Sequence, residues 1–250
     1  MGGAAALASA SAVPLAAAFG WQAALAACLI FALLAIMTWS GQLSRHTKPA
    51  TGTATPPHGG KVWRSALAWQ VTLFMGINSF LYYVLVAWLP AILTSSGLSP
   101  AAAGSLHGVM QLATAIPGLL LGPIVNRMRD QRLIAAAIGV LMGIALMGFI
   151  IAPAGAMIWS FCFGLGSGGG VLLALMFMGL RASSAHQAAA LSGMAQCVGY
   201  LLAACGPTLA GKLHELTGSW SLPLSIGAVL TVVMIGFGTM AGRQHTIGSD

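Results

Sequence analysis

The sequence predicts an all-α, polytopic membrane protein. Of its 250 residues, 58% are hydrophobic and only 5% are charged, whereas about 25% of the residues in a soluble domain are charged. The apolar residues form eight long segments, and about 20 such residues cross a bilayer core as a helix. Nine of the ten Lys and Arg residues fall on one side of this alternating series. Because cytoplasmic loops hold the excess of Lys and Arg, this asymmetry predicts the orientation of the helices as well as the fold class.

The basic residues indicate which loops face the cytoplasm. The nine occupy a linker, two later loops and the C-terminus: Arg45, Lys48, Lys61, Arg64, Arg127, Arg129, Arg132, Arg181 and Arg243. The exception is Lys212, which lies beside Glu215 at the outer end of its segment. A net charge of +7 is compatible with nucleic acid binding, but charges this few and dispersed are better explained by cytoplasmic loops. We therefore expect the lipid bilayer as a partner and no nucleic acid. The expected location is the cell (inner) membrane, with a multi-pass chain whose C-terminus is cytoplasmic.

The first two segments precede a polar stretch. Residues 3–18 are rich in Ala, slightly short for a span, and contain Pro14 as a candidate kink. Residues 22–39 form the second segment. Residues 41–64 are polar, basic and rich in Pro, Gly and Thr, which predicts a flexible cytoplasmic linker.

Six further segments follow the linker. We place them near 66–94, 101–125, 133–152, 156–180, 188–212 and 222–241. Together they predict a C-terminal six-helix bundle over residues 65–243, with a cytoplasmic tail over 244–250. Two segments, a linker and six segments are the layout of the second part of a two-bundle transporter. Residues 1–40 would then be the last two helices of an incomplete N-terminal bundle.

Three of the segments resemble helices of one transporter family. Residues 76–90 resemble the seventh helix of the cyanate and 2-nitroimidazole transporter family, which belongs to the major facilitator superfamily. Residues 194–207 are similar to its eleventh helix, and the Gly-rich run 164–170 is similar to its tenth. The resemblance covers the whole chain but only the later three fifths of a family member. It implies a major-facilitator-type C-terminal bundle in a secondary active transporter for a small solute, such as a cyanate-like anion or a nitroimidazole.

The same resemblance identifies a candidate gating loop. Residues 122–132 are similar to the inner-loop motif of the superfamily, and we assign Gly122, Arg127 and Asp130 to this loop. Asn126 replaces the usual Asp and Arg129 the usual Gly. Both replacements weaken the expectation of gating by the usual charge relay.

Polar uncharged residues inside the predicted spans are the candidate lining of a substrate cavity. Lipid offers no hydrogen bonds, so these groups must face protein or a wet cavity. The candidates are Asn78, Ser79, Tyr82, Tyr83, His107, Gln111, Gln196 and Tyr200. The open alternatives are interhelical hydrogen bonds for the amides, aromatic packing for the tyrosines, and a neutral packing histidine for His107.

Charged residues are absent from the depth of the predicted spans. Proton relays and substrate counter-ions commonly need such residues. Either the missing helices of the N-terminal bundle, an expected partner of this chain, supply the charge, or the solute is neutral.

Signatures of an enzyme are lacking in this sequence. It contains no Walker A loop, and its loop histidines have no metal-ligand spacing. The run 164–170 superficially resembles a nucleotide loop but lies inside an apolar span. We expect no catalytic residue, metal or cofactor.

Several functional alternatives stay open. The chain could be a fragment that is inactive by itself, or a short protein that assembles with copies of itself or with a separate N-terminal partner. A non-transporting membrane scaffold or sensor, or a drug efflux component, are the alternative functions.

Overall fold

The computed structural model describes residues 2–27, 29–40 and 60–248, and within these ranges the regular structure is entirely helical. The helices are α1 (Gly2–Phe19), α2 (Trp21–Ala27), α3 (Leu29–Ser40), α4 (Gly60–Trp63), α5 (Ala66–Ser95), α6 (Pro100–Ala113), α7 (Pro117–Arg127), α8 (Arg132–Ile151), α9 (Ala156–Leu180), α10 (Ala185–Thr217) and α11 (Ser221–Ala241). A short 3-10 turn, Pro153–Gly155, links α8 to α9.

Seven helical stretches of the described residues are long and apolar enough to cross a membrane. They are Trp21–Ser40, Ala66–Ser95, Pro100–Arg127, Arg132–Ile151, Pro153–Leu180, Ala185–Thr217 and Ser221–Ala241. They coincide with the last seven of the eight predicted segments, and the first segment is also helical, as α1. The predicted all-α, polytopic membrane fold is therefore confirmed.

The segment predicted at 101–125 is interrupted rather than continuous. Helix α6 ends at Ala113 and α7 begins at Pro117. Between them, the Ala115 and Ile116 amides donate to carbonyls three residues earlier, at 3.0 and 3.3 Å. Proline has no amide hydrogen, and its ring clashes with the carbonyl four residues before it. Pro117 therefore explains the break.

Serine caps begin three of the long helices. Ser65, Ser99 and Ser184 each precede a helix and accept a hydrogen bond from the amide three residues later. This side-chain oxygen satisfies a donor that has no partner within the helix. Helix α10 ends at Thr217 and is followed by Gly218, whose φ of 67° lies in the left-handed region that favours glycine.

Helix α5 lies at the centre of the bundle and packs against α6, α9, α10 and α11. Its most extensive contact is with α10, where Gly76 and Gly199 face each other. A Cβ added to Gly76 would lie 3.3 Å from the Gly199 Cα. Small residues of this kind let membrane helices approach closely. Outside this core, α1 packs along α6.

The Gly-rich face of α9 packs against backbone. A Cβ at Gly164 would lie 2.2 Å from the Met110 carbonyl oxygen, and one at Gly168 would lie 2.2 Å from that of Thr114. The glycines therefore seat α9 directly on the end of α6. The 164–170 run therefore has a packing role.

The described parts of the two predicted non-membrane segments pack onto the bundle. Residues 41–59 of the linker lie outside the described residues, but 60–63 form α4, and Val62 is 1% exposed. In the tail, the Ile247 amide donates to the Arg181 carbonyl at 2.8 Å, and Ile247 is 5% exposed. The tail as far as 248 thus packs onto the bundle instead of extending from it.

Candidate functional site

The three tyrosines of the chain meet in one cluster. Tyr82 and Tyr83 are on α5 and Tyr200 is on α10. The ring centroids of Tyr82 and Tyr83 are 5.3 Å apart, and those of Tyr83 and Tyr200 are 6.3 Å apart, both pairs in edge-to-face geometry. The close approach of α5 to α10 brings these rings together.

The tyrosine cluster lies at mid-depth. Tyr82 is 16 residues after Ala66 and 13 before Ser95, the ends of α5. At the helical rise per residue, these spacings correspond to about 24 and 20 Å. Tyr200 is similarly central, 15 residues after the start of α10 at Ala185. The cluster is therefore near the middle of any bilayer that these helices cross.

One face of the cluster is open and the other is bonded to α6. Tyr83 is 40% exposed and Tyr200 is 46% exposed. The half-buried Tyr82 hydroxyl donates to the Gln111 Oε1 at 2.7 Å, and Gln111 itself is 3% exposed. Three helices thus contribute to one uncharged, partly open aromatic surface.

Asn78 and Ser79 lie deeper in the bundle than the tyrosines. They are 0% and 2% exposed. The Asn78 Nδ2 donates to the Ser167 carbonyl on α9 at 3.1 Å, and Gly170 leaves room for the rest of the amide. Asn78 therefore makes the interhelical hydrogen bond that was its alternative role, and solute contact by either residue stays a prediction.

Gln196 and His107 each lie four residues before a member or partner of the cluster, Tyr200 on α10 and Gln111 on α6. The half-buried Gln196 donates through Nε2 to the Ser192 Oγ at 2.7 Å, within α10. His107 is half-buried on α6, four residues before Gln111 and so on the same helical face. Their contact with a solute also stays a prediction.

The residues of the candidate gating loop are not brought together. Gly122 lies within α7, where an added Cβ would meet nothing within 4 Å, and Arg127 is exposed. Asp130 lies 3.6 Å from the Arg132 Nε, in a partly exposed ion pair. A gating role for Gly122, Arg127 and Asp130 remains a prediction.

Arg181, a predicted loop residue, connects the end of α9 with the end of α11 and the residue before α8. It is 4% exposed. Its Nε donates to the Ala241 carbonyl at 2.7 Å, and a terminal nitrogen donates to the Gln131 Oε1. The guanidinium also lies 5.3 Å from the Phe177 ring centroid. Burial lowers the pKa of Arg181, while the Asp130 carboxylate opposes that shift.

Charges are confined to the ends of the spans in the part of the chain that the structure describes. Arg127 and Arg132 stand at the borders of α7 and α8, and Lys212 pairs with Glu215 near the end of α10. The same residues contain no cluster of His, Cys, Asp and Glu that could hold a metal ion. The rings and hydroxyls of the tyrosine cluster are the groups at mid-depth that can stack on a solute and hydrogen-bond to it.

The family of this chain is shown by a match to a protein-family model. The model of the Major Facilitator Superfamily matches residues 1–207. The chain belongs to the major facilitator superfamily. The resemblance that the sequence indicated is confirmed, and this superfamily member is a multi-pass membrane protein.

The chain is also similar to three curated transport proteins. The chain is 54% identical over 248 residues to the 2-nitroimidazole transporter of Escherichia coli (strain K12), covering 99% of this chain and 63% of the relative. It is 51% identical over 105 residues to the "Putative anionic 4-hydroxy-benzoate permease" of Thauera aromatica, covering 42% of this chain and 64% of the relative. It is 29% identical over 213 residues to the cyanate transport protein CynX of Escherichia coli (strain K12), covering 85% and 55%. The chain thus spans less than two thirds of each relative.

Proposed function

We propose that this superfamily member forms one wall of a secondary active transporter, and that its tyrosine cluster binds a small planar aromatic solute. The solute would reach each side of the membrane in turn as two bundles rock about the site. The observation that carries the proposal is the partly exposed cluster of Tyr82, Tyr83 and Tyr200 at mid-depth.

The chemistry of the cluster favours a flat solute with a few polar atoms. Aromatic rings prefer edge-to-face and offset-stacked contacts, and the tyrosine hydroxyls add hydrogen bonds. Two of the relatives are named for aromatic molecules, a nitroimidazole and a hydroxybenzoate. A ring between Tyr83 and Tyr200 would use the surface that each leaves exposed.

The opposite wall and any coupling charge would come from outside the residues described here. In these residues the spans carry charges only at their ends. The relatives have more than a third of their length beyond the matched part. We assign to such a segment the second bundle and any intramembrane carboxylate or basic residue.

The proposed orientation places the ends with Arg64, Arg181 and Arg243 in the cytoplasm. These residues stand at the start of α5, the end of α9 and the end of α11, which lie on the same side of the bundle, since Arg64 and Arg243 line one cavity and Arg181 bonds to the Ala241 carbonyl. Lys212 and Glu215 stand on the opposite side. The positive-inside rule supports this assignment. It also supports the cytoplasmic placement of the linker over 41–64 and of the tail.

The proposal is tested by solute uptake in a chimaera. The N-terminal segment of the Escherichia coli 2-nitroimidazole transporter is joined to this chain, and uptake of labelled 2-nitroimidazole is measured in cells. Tyr200→Ala removes one exposed aromatic face. Lost stacking and burial should raise the KM about tenfold with little change in surface expression.

Leu201→Ala is the matched control, because Leu201 is the next residue on α10 and is 66% exposed. Its KM should stay close to that of the parent chimaera. Tyr82→Phe, which removes the hydroxyl bonded to Gln111, should raise the KM less than Tyr200→Ala. Unchanged uptake in both Tyr83→Ala and Tyr200→Ala, at equal expression, would show that the cluster is not the binding site.

A further inference from the structure

A cavity lies at the end of the bundle that carries the arginines, far from the tyrosine cluster. It has a volume of about 640 Å³, which is within the range of about 300–1,000 Å³ for small-molecule sites. The start of α5, the start of α10, the end of α11 and the tail enclose it. Its polar lining includes Arg64, Ser65, Gln70, Gln187, Arg243 and His245.

The lining is cationic. Arg64 and Arg243 both face the cavity, and no carboxylate is among the described residues that line it. The two acidic residues in the described ranges, Asp130 and Glu215, are paired with Arg132 and Lys212. The cavity therefore has a positive charge that those carboxylates do not neutralise.

Helix ends add to the positive potential. Ala66 and Leu67, the first residues of the 30-residue helix α5, line the cavity, and so does Gln187 in the first turn of α10. The first amides of a helix point away from its body, and its dipole is positive at that end, so anions are favoured there. The backbone and the arginines thus favour the same kind of ligand.

Two tryptophans place the cavity at headgroup depth. Trp63 and Trp69 adjoin Arg64 and Gln70 in sequence and are 49% and 37% exposed. Their rings meet edge to face with centroids 6.0 Å apart, and the Trp69 Nε1 donates to the Trp63 carbonyl at 2.9 Å. Exposed tryptophans concentrate where acyl chains meet headgroups. A lipid in the adjoining leaflet could therefore reach the cavity with its phosphate.

We propose that this cavity binds the phosphate of an anionic phospholipid, held by Arg64 and Arg243 and by the amino-terminal end of α5. Basic pockets between membrane helices on the cytoplasmic side take such headgroups. The lipid would bridge the end of the linker and the tail, which both contribute to the lining.

Lipid retention by the purified chain tests this proposal. The chain is exchanged into detergent with equal amounts of phosphatidylglycerol and phosphatidylcholine, and bound lipid is counted by native mass spectrometry. The parent chain should retain phosphatidylglycerol preferentially. Arg64→Gln and Arg243→Gln should each weaken retention about fivefold, and the double variant more.

Arg129→Gln is the matched control, since Arg129 is exposed at the same end of the bundle but is not part of the cavity lining. It should retain lipid like the parent chain. Arg243→Lys keeps the charge and should largely preserve binding. Helix content by circular dichroism and a single peak in size-exclusion chromatography establish that each variant is folded.

Three outcomes would overturn the proposal. The first is equal retention of the two lipids, or undiminished retention in the folded double variant. The second is displacement of the lipid by inorganic phosphate at an equal concentration, which would show that the cavity is a site for free anions. The third concerns Asp250, two residues beyond Gly248. If the Asp250→Asn variant retains phosphatidylglycerol and the parent chain does not, the Asp250 carboxylate occupies the cavity in place of the lipid.

Discussion

The substitution Gly168→Ala probes the packing that positions the broken helix. The glycine sits on α9 against the turn between α6 and α7. An added Cβ would lie 2.2 Å from the Thr114 carbonyl oxygen, 2.6 Å from its Cα and 2.8 Å from its carbonyl carbon. All three are backbone atoms, so no side-chain rotation can relieve the contact.

The size of the effect follows from the required movement. A real Cβ essentially never comes within 3.0 Å of such an atom, so the turn and α9 must separate by at least 0.8 Å. Overpacking a tight site costs about 1–3 kcal/mol, and replacing helical glycine by alanine recovers up to about 1 kcal/mol. We expect a net loss of about 2 kcal/mol in the free energy of unfolding, which lowers the Tm by about 4–8 °C in a chain of this size.

Thermal unfolding of the purified protein in detergent, followed by size-exclusion chromatography after heating, measures this effect. Gly179→Ala on the same helix and Gly193→Ala on α10 are the controls, because a Cβ at either position meets nothing within 4 Å. Both should leave the Tm unchanged or raise it slightly through helix propensity. A Gly168→Ala variant as stable as these controls would refute the backbone contact and the seating of α9 on the turn.

Three further substitutions test other contacts by the same assay. Arg181→Gln removes two charge-assisted hydrogen bonds from a buried site and should lower the free energy of unfolding by about 3 kcal/mol. Arg129→Gln, on the surface, should leave it almost unchanged. Equal Tm values for the two variants would show that the hydrogen bonds of Arg181 do not stabilise the bundle. Trp88→Phe deletes the bond from its Nε1 to the Pro207 carbonyl at 2.8 Å and should lower the Tm by about 2–4 °C; an unchanged Tm would show that the bond adds nothing. Ser99→Ala removes the cap of α6 and should lower the free energy of unfolding by about 1 kcal/mol. An unchanged Tm would show that the cap does not stabilise this end of the helix.

Local sequence was sufficient to predict the membrane helices. Seven predicted segments match the spans closely because span length and hydrophobicity are properties of consecutive residues. The break before Pro117 lies inside the segment placed at 101–125 and is also a local effect, since proline acts on its own turn. The polar composition of 41–64 indicated a linker, but it did not reveal that 60–63 would form a helix with Val62 buried.

Which polar residues face outward could not be predicted from the sequence. Asn78 and Tyr82 are four residues apart on α5, yet Asn78 is fully buried against α9 while Tyr82 bonds to Gln111 on α6. Their environments depend on which helices surround α5 and how it is rotated. The buried position of Arg181 was equally unpredictable, because its hydrogen-bond partners are a backbone carbonyl and a distant glutamine rather than a carboxylate.

Which side of the membrane holds the basic loops stays a prediction, but the sequence by itself determined that this is a multi-pass membrane protein and which segments form its spans. These follow from the cost of placing charge and unpaired backbone in hydrocarbon. Only the tertiary structure decided that Tyr83 and Tyr200, 117 residues apart, share one surface. Their meeting depends on the close contact of Gly76 with Gly199, and such contacts arise between helices that are distant in the chain.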